Sequence, residues 1–360
     1  MRGRIRQLDG LRGLAVLGVM WFHWAPPEWR GPVPFEAGLF FFFIVSGYFV
    51  TGMMLREVAG EKAGRADGGR WETYRKFLAR RFLRILVPYF AALALAAALG
   101  AGDVRQAAGW YLLPVCNVHM ALTGAEPAEI THFWTLAIQQ QFYLLWPLLV
   151  LFTPRRALAP VISVLVLAAP AWRLLGGTLL PTVPDPGLLG PSMLDYLGCG
   201  SLLAMIRLRR PEGKLPGLAP LAWISFAAYA VCYIAWHSGR TFPAPWWALQ
   251  QTFFAVACCG LVDAAGRGIR GPVGRILEHP LLLRIGALSY SLYLLHNLAP
   301  LLAGHIVAFL WAPMLDSPLG AGLRIFVFAV FCWGLAVVSW RWIEQPVERL
   351  RRRIAERESE

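Results

Sequence analysis

Long apolar runs alternate with short polar connections along the whole chain, which is typical of a protein that crosses a membrane several times. Each run approaches the ~20 residues that an α-helix needs to cross the hydrocarbon core of a bilayer. We predict spans at 11–25, 37–55, 83–101, 132–153, 157–175, 188–206, 217–237, 246–265, 281–311 and 323–343. The ninth run is long enough to tilt, kink or continue into an interfacial segment. The pattern predicts an all-α, polytopic integral membrane protein with about ten transmembrane helices.

Composition supports this class. Hydrophobic residues make up 57% of the chain and charged residues 15%, which is too apolar for a soluble domain of 360 residues. The first run does not resemble a cleaved signal peptide, because Arg12 and His23 interrupt it and no small-residue cleavage pattern follows. We expect one transmembrane domain over 1–346 and a short charged tail over 347–360.

The distribution of basic residues predicts the orientation. If the N-terminus with Arg2, Arg4 and Arg6 is cytoplasmic, ten spans place most of the 34 Lys and Arg residues on that side. The opposite loops and their flanks contain only Arg30, Arg105, Arg173, Arg240 and Arg324. Both termini are therefore expected in the cytoplasm. This asymmetry accounts for the net charge of +13 without nucleic acid as a partner.

Arg12 and His23 lie in the first predicted helix. Eleven residues make about three helical turns, so both side chains share one face and lie roughly 16 Å apart along the axis. Ionisable groups are costly in hydrocarbon and usually face a protein interior or a water-filled path, where they mark function. The alternative is an Arg that snorkels to the helix end and a His at the interface.

Further polar groups interrupt other spans. Arg81 and Arg84 are i, i+3 neighbours, so two guanidinium groups point the same way and suit a phosphate, although anchoring at the membrane surface is an alternative. The small pair Ser46-Gly47 lies within an aromatic run and permits close approach of a helix or a ligand. Three amides at 139–141 enter the fourth span, where a lipid-facing helix would not hold them cheaply.

Cysteine and histidine spacing gives no indication of a metal or of a disulfide framework. The six cysteines contain no CxxC pair, and we interpret them as small apolar side chains. The seven histidines are scattered without ligand spacing, so no metal is expected.

The polar stretches, taken in order, resemble the membrane-bound acyltransferase family 3, which includes O-acetyltransferases of bacterial surface glycans. Arg12 followed by His23 is similar to its basic residue, ten others, then His. The chain also has stretches like the family's FFxxSGF, RxxR, WSLxxExxFY, SYSLYLxH and W-x-x-IExP motifs, at 42–48, 81–84, 134–143, 289–296 and 340–346. The resemblance runs from residue 8 to about 346.

The resemblance implies transfer of an acyl group, foremost acetyl, from cytoplasmic acyl-CoA to a hydroxyl of a cell-surface or lipid-linked glycan. His23 is the expected general base, with a transient acyl-histidine as a variant. Arg12 is expected to bind the donor or stabilise negative charge. Donor binding is expected at Arg81, Arg84, Ser46 and Gly47. An integral protein of a bacterial inner membrane, in contact with its lipids, is the implied location, and the oligomeric state is left open.

The acceptor is expected near His132, Trp134, Gln139 and His296. Gln139 departs from the family pattern, which usually has Glu there, and an amide cannot act as a base or carry negative charge. Asp195 in the sixth span and Glu36 at the start of the second are the acids expected to replace that carboxylate.

Two other functions agree with the same residues. A transporter or lipid flippase would use Arg12, His23 and Asp195 as a polar path. An inactive scaffold derived from the enzyme is suggested only by Gln139 and Gln140. The external segment at about 102–130 either covers an acceptor site or is an ordinary connector.

Overall fold

The computed structural model describes residues 5–62, 69–240, 243–311 and 317–350. Within these ranges every regular element is helical, which confirms the all-α prediction. Arg2, Arg4 and most of the predicted tail lie outside the described residues.

The α-helices in the described ranges are α1 (Arg6–Trp24), α2 (Pro27–Arg30), α3 (Gly38–Lys62), α4 (Gly69–Leu99), α5 (Ala108–Leu112), α6 (Cys116–Thr123), α7 (Phe133–Phe152), α8 (Arg155–Leu179), α9 (Leu194–Arg209), α10 (Leu218–His237), α11 (Ala244–Arg267), α12 (Gly271–Leu277), α13 (Pro280–Ala287), α14 (Ser289–Leu295), α15 (Leu298–Trp311) and α16 (Pro318–Ser339). Short 3-10 turns at Phe35–Ala37, Pro186–Leu188 and Gly190–Met193 precede α3 and α9. A π-helical turn, Trp340–Glu344, follows α16.

Seven helical segments within the described residues are long and apolar enough to cross a membrane: Phe35–Gly60, Gly69–Leu99, Phe133–Phe152, Arg155–Leu179, Leu218–His237, Ala244–Arg267 and Pro318–Leu350. The first, sixth and ninth predicted spans do not meet the same criteria. The prediction of a helical protein with many apolar helices is confirmed, whereas the count of ten and the position of the termini remain predictions.

The ninth predicted span is broken rather than continuous. It consists of α13, α14 and α15, with interruptions at Leu288 and at His296-Asn297. Interrupted helices at membrane depth need neighbouring protein to satisfy the freed backbone groups. Most of α14 is accordingly buried, and it packs against α1 and α16.

Glycine allows two pairs of helices to approach closely. A Cβ atom on Gly47 of α3 would lie 2.1 Å from the carbonyl oxygen of Leu197 in α9, and one on Gly200 of α9 would lie 2.1 Å from that of Ile44. Similarly, a Cβ atom on Gly286 of α13 would lie 1.8 Å from the Asp9 carbonyl oxygen in α1. These contacts fix α3 against α9 and α1 against α13, because only glycine permits such short separations.

The segment between α4 and α7 folds around Asp103. Its carboxylate accepts hydrogen bonds from the Tyr111 hydroxyl at 2.6 Å and from Nε2 of His119 at 2.7 Å. Partial burial acts to raise the pKa of Asp103, but these hydrogen bonds outweigh it and leave the pKa below its usual value. Hydrogen bonds within the segment therefore order its first part.

Candidate active site

A cavity of about 1470 Å³ lies among α1, α3, α4, α7, α9, α11 and α14. It exceeds the roughly 300–1,000 Å³ of common small-molecule pockets, so it has room for an extended ligand. Arg56, Arg207 and Arg267 lie towards the ends of α3, α9 and α11 and form what we call the basic end of the cavity. Asp263 pairs with Arg207 and Arg267 and holds both guanidinium groups in place.

Arg81, Tyr143, Ser46 and Gln139 form a continuous chain of contacts on the cavity wall. The Arg81 guanidinium donates to the Tyr143 hydroxyl and lies 4.1 Å from the centre of its ring. The Tyr143 and Ser46 hydroxyl oxygens are 2.9 Å apart, and Gln139 Nε2 donates to Ser46 Oγ at 2.7 Å. Three stretches that resemble family motifs, on α3, α4 and α7, thus meet at one point of the wall.

Arg12 and Arg84 line the same cavity as Arg81. Arg12 donates to Ser289 Oγ at 2.9 Å and approaches Asp9 Oδ1 at 3.4 Å. Arginine suits phosphate and oxyanion groups because its charge is permanent and its donors form a rigid fork. The structure therefore brings together three cations that the sequence analysis assigned to donor binding or charge stabilisation.

Two residues assigned to the ligands lie away from the cavity wall. Gly47 faces α9, where a side chain has no room, so its position indicates a role in helix packing rather than in contact with a donor. Trp134 is half-buried and packs against the hydrophobic core. Neither is among the residues that line the cavity.

The two acids expected to replace the family carboxylate are also elsewhere. Asp195 is fully buried, with Oδ1 at 2.6 Å from Arg173 and Oδ2 at 2.6 Å from the Thr252 hydroxyl. The Glu36 carboxylate accepts a hydrogen bond from the Tyr233 hydroxyl of α10. Both make contacts between other helices and neither lines the cavity, so replacement of the family carboxylate by either acid stays a prediction that this geometry does not favour. Asp9, which pairs with Arg12, is the acid on the wall beside the predicted catalytic cation.

Glu344, in the family-like stretch at 340–346, contacts α14 at Ser291. It accepts hydrogen bonds from Ser291 and, at 3.4 Å, from Ser339. The contact between these two stretches was not predicted from the sequence. Their contact holds α14 against the π-helical turn and so helps to position Ser289 and Tyr293.

Three histidines lie together beyond the end of the cavity that is opposite the basic end. His23 lies in the last turn of α1, His132 precedes α7, and His296 occupies the break between α14 and α15. The ring centres of His23 and His296 are 4.9 Å apart, and those of His132 and His296 are 4.5 Å apart. We call these three residues the histidine layer. Their separations of 109 and 164 residues in the sequence gave no indication of this contact.

The members of the histidine layer differ in exposure. His132 and His296 are buried, at 3% and 0% exposure, whereas His23 is partly accessible. His132 Nε2 lies 3.1 Å from the Leu294 carbonyl oxygen, and His296 Nδ1 lies 2.6 Å from that of Tyr293. Within the described structure, His23 is thus the member of the layer that an acceptor can reach most directly.

Tyr293, Thr135 and Phe42 separate the cavity from the histidine layer. All three line the cavity, the Tyr293 and Thr135 hydroxyl oxygens are 2.6 Å apart, and the Phe42 and Tyr293 ring centres are 6.2 Å apart. They are not among the predicted site residues, although they lie in the stretches that resemble the family.

Among the described residues, no group of three or more His, Cys, Asp or Glu is arranged to hold a metal ion.

Comparison with known proteins agrees with this arrangement. A family model described as an acyltransferase domain matches residues 5–340. The chain is 22% identical to a putative peptidoglycan O-acetyltransferase, YrhL of Bacillus subtilis, over 94% of its own length and 54% of that protein. It is 24% identical to the peptidoglycan O-acetyltransferase OatA of Listeria monocytogenes, over 97% of its length and 56% of that protein. An O-acetyltransferase OatA of Staphylococcus aureus is 28% identical over 41% of this chain.

The chain thus spans about half the length of the first two relatives. No solved structure matches it. Because the family model covers nearly the whole chain, the protein belongs to the acyltransferase-domain family.

Proposed function

We propose that this protein transfers an acetyl group from acetyl-CoA to a hydroxyl of a cell-envelope glycan. One observation carries the proposal: a single large cavity is lined by Arg12, Arg81 and Arg84 and extends towards the histidine layer. The relatives are named as peptidoglycan O-acetyltransferases, so peptidoglycan is the first acceptor to test.

The donor is proposed to enter at the basic end of the cavity. Coenzyme A carries phosphate groups at one end and the thioester at the other, so an extended binding mode directs the phosphates to arginine and the acyl group inwards. Arg56 is ten residues beyond Ser46 on α3, or about 15 Å along the helix axis. This length matches a ligand that is anchored by its charged end and reacts at the other.

Orientation in the membrane follows from the same proposal. The basic end faces the cytoplasm, where acyl-CoA is made, and the histidine layer faces the acceptor side of a bacterial inner membrane. The Phe42, Thr135 and Tyr293 layer then has to open locally, because it separates the cavity from His23.

His23 is proposed as the general base. As its neutral imidazole takes the proton of the acceptor hydroxyl, the oxygen attacks the thioester carbonyl. The carbon–sulfur bond then breaks, and coenzyme A leaves as a thiolate that is protonated to the thiol. The products are the O-acetyl ester and free CoA. Arg12 is proposed to stabilise negative charge that develops on the donor.

The test measures CoA release from acetyl-CoA by membranes that contain equal amounts of wild type or His23→Ala, with soluble peptidoglycan fragments as acceptor. His237→Ala is the control, because His237 is exposed at the end of α10, away from the cavity. We expect His23→Ala to lose about 100-fold or more in rate, within the contribution of a general base. The control should retain the wild-type rate.

The other outcomes are equally informative. Equal release from wild type and His23→Ala excludes His23 as the base. If acetyl-CoA yields no CoA and no acetylated product with wild type, the proposed donor and reaction are wrong, and transport of radiolabelled glycolipid becomes the next measurement.

A further inference from the structure

We propose that His296 is a positioning residue for His23: its Nε2 atom accepts a hydrogen bond from one ring N–H of His23 and leaves the other His23 nitrogen unprotonated. This inference rests on the proposed function, in which His23 is the general base. It assigns to a buried histidine a task other than contact with the acceptor, for which its burial is unsuited.

The backbone sets the tautomer of His296. Its Nδ1 atom lies 2.6 Å from the Tyr293 carbonyl oxygen, which can only accept a hydrogen bond. Nδ1 therefore carries the proton, and in a neutral imidazole Nε2 then has a lone pair and no hydrogen. His296 is a fixed acceptor that points away from the backbone of α14.

That acceptor has no hydrogen-bond partner among the described residues. The Nε2 atom of His296 is buried, and the residue as a whole has 0% exposure. Buried polar atoms are almost always paired, because an unpaired one loses its hydration without compensation. A donor that reaches this atom would therefore stabilise the histidine layer.

His132 cannot be this donor, although its ring centre is 4.5 Å from that of His296. Its Nε2 atom donates to the Leu294 carbonyl oxygen at 3.1 Å. Its Nδ1 atom faces the amide nitrogen of Asn297 at 3.3 Å, and that amide nitrogen also donates to the Ala128 carbonyl oxygen at 3.0 Å. The orientation of Asn297 is thereby fixed, and both His132 nitrogen atoms are already engaged.

His23 has the required position. Its ring meets His296 edge-on, at 60° and 4.9 Å between centres, which suits an N–H···N bond between atoms about 3 Å apart after a small ring rotation. Because His23 is only partly buried, its side chain has room for that rotation. Once one nitrogen donates to His296, the other is the lone-pair nitrogen that a general base needs.

The experiment compares wild type with His296→Gln, His296→Asn and His296→Leu in the same CoA-release assay. Glutamine retains both a donor for Tyr293 and an acceptor for His23, asparagine is too short to reach both, and leucine has neither group. We expect His296→Leu and His296→Asn to lower kcat by about 100-fold with KM for acetyl-CoA within about twofold of wild type. His296→Gln should recover most of kcat, which a purely structural role of the ring would not predict.

A second comparison places each Leu or Asn substitution in the His23→Ala background. If His296 acts through His23, the double variant releases CoA at the rate of His23→Ala alone. Additive losses, or equal kcat in His296→Leu, His296→Asn and wild type, would overturn the inference. Amount and monodispersity of each variant are measured in detergent. If the His296→Leu variant does not accumulate in the membrane, the comparison of kcat between His296→Gln and His296→Asn tests the inference.

Failure of the inference is distinguishable from failure of the proposed function. If wild type releases CoA and His23→Ala does not, the proposed function stands whatever the His296 variants do. If His23→Ala is fully active, the base has been misassigned and the His296 substitutions lose the basis of their predicted effect.

Discussion

Gln139 combines a departure from the family pattern with a defined place in the structure. Its amide donates to Ser46, whose hydroxyl lies beside that of Tyr143, and Arg81 donates to Tyr143. Ser46 and Tyr143 have one hydroxyl hydrogen each, but only one of these can be donated within the pair. A carboxylate at 139 would accept the second hydrogen from Ser46. The amide therefore keeps the chain of contacts but satisfies it less completely.

We expect Gln139→Glu to fold at least as stably as wild type, because its carboxylate would accept from Ser46 and lie in the same chain as Arg81. Gln139→Leu should lose about 0.5–1.5 kcal/mol, the net contribution of one hydrogen bond, because Ser46 keeps its contact with Tyr143. Thermal unfolding of the purified variants in one detergent measures both changes. A Glu variant less stable than the Leu variant would contradict this account of the wall.

Single residues were predicted with uneven success. Arg12, Arg81 and Arg84 were selected as cations in apolar segments, and all three line the cavity. His23, His132 and His296 were each expected beside the acceptor, but the contacts among their rings were not predicted, because the residues come from α1, the start of α7 and the break before α15. Helical spacing describes neighbours on one helix and carries no information on which helices meet. The expected role of Asp195 at the site stays a prediction, although its own contacts lie with α8 and α11.

Asp195 connects three helices. Its ion pair with Arg173 connects α9 to α8, and its bond with Thr252 connects α9 to α11. Arg173 also donates to the Ala248 and Ser192 carbonyl oxygens, at 2.9 and 2.6 Å. Three helices thus share one buried charge pair, with 10% exposure of the Arg173 side chain and 0% of Asp195.

We expect Asp195→Asn to destabilise the protein by about 3–5 kcal/mol, because it leaves the Arg173 charge buried without its counter-ion. Low accumulation and a lower unfolding temperature should therefore accompany any loss of activity. The double variant Arg173→Gln with Asp195→Asn is the matched test, since it removes both charges and should recover part of the stability. A stable Asp195→Asn variant that is selectively inactive would instead support a catalytic role.

α1 and α9, which correspond to the first and sixth predicted spans, are helical but are not among the seven apolar segments of spanning length. α9 has only 16 residues, and α3, α8 and α11 cover it, so it carries buried polar groups such as Asp195 and Ser201. α1 likewise contains Gln7, Asp9 and Arg12. An interior helix does not need a uniformly apolar surface, and hydropathy therefore underestimates it. α9 is in addition shorter than the ~20 residues of a spanning helix, and the polar residues of α1 lower its hydropathy.

At the scale of the whole molecule, the proposed reaction requires the basic end and the histidine layer to face opposite sides of the membrane. Whether α9 crosses the membrane determines on which side the segments around α8 and α9 lie. At 1.5 Å per residue its 16 residues extend about 24 Å, less than the ~30 Å of hydrocarbon, although the turn at Gly190–Met193 lengthens the crossing. If α9 crosses, the segments before α8 and after α9 lie on the same side.

Labelling of single introduced cysteines by a membrane-impermeant maleimide tests this topology. Arg156→Cys and Lys214→Cys, at exposed positions in the first turn of α8 and after α9, should be labelled from the cytoplasmic side only. Ala125→Cys and Ser238→Cys, also exposed, should be labelled from the opposite side. The six native cysteines are buried and provide a low background. Opposite labelling of positions 156 and 214 would show that α9 does not cross, and one chain could not then place Arg207 and Arg81 at the same cytoplasmic entrance.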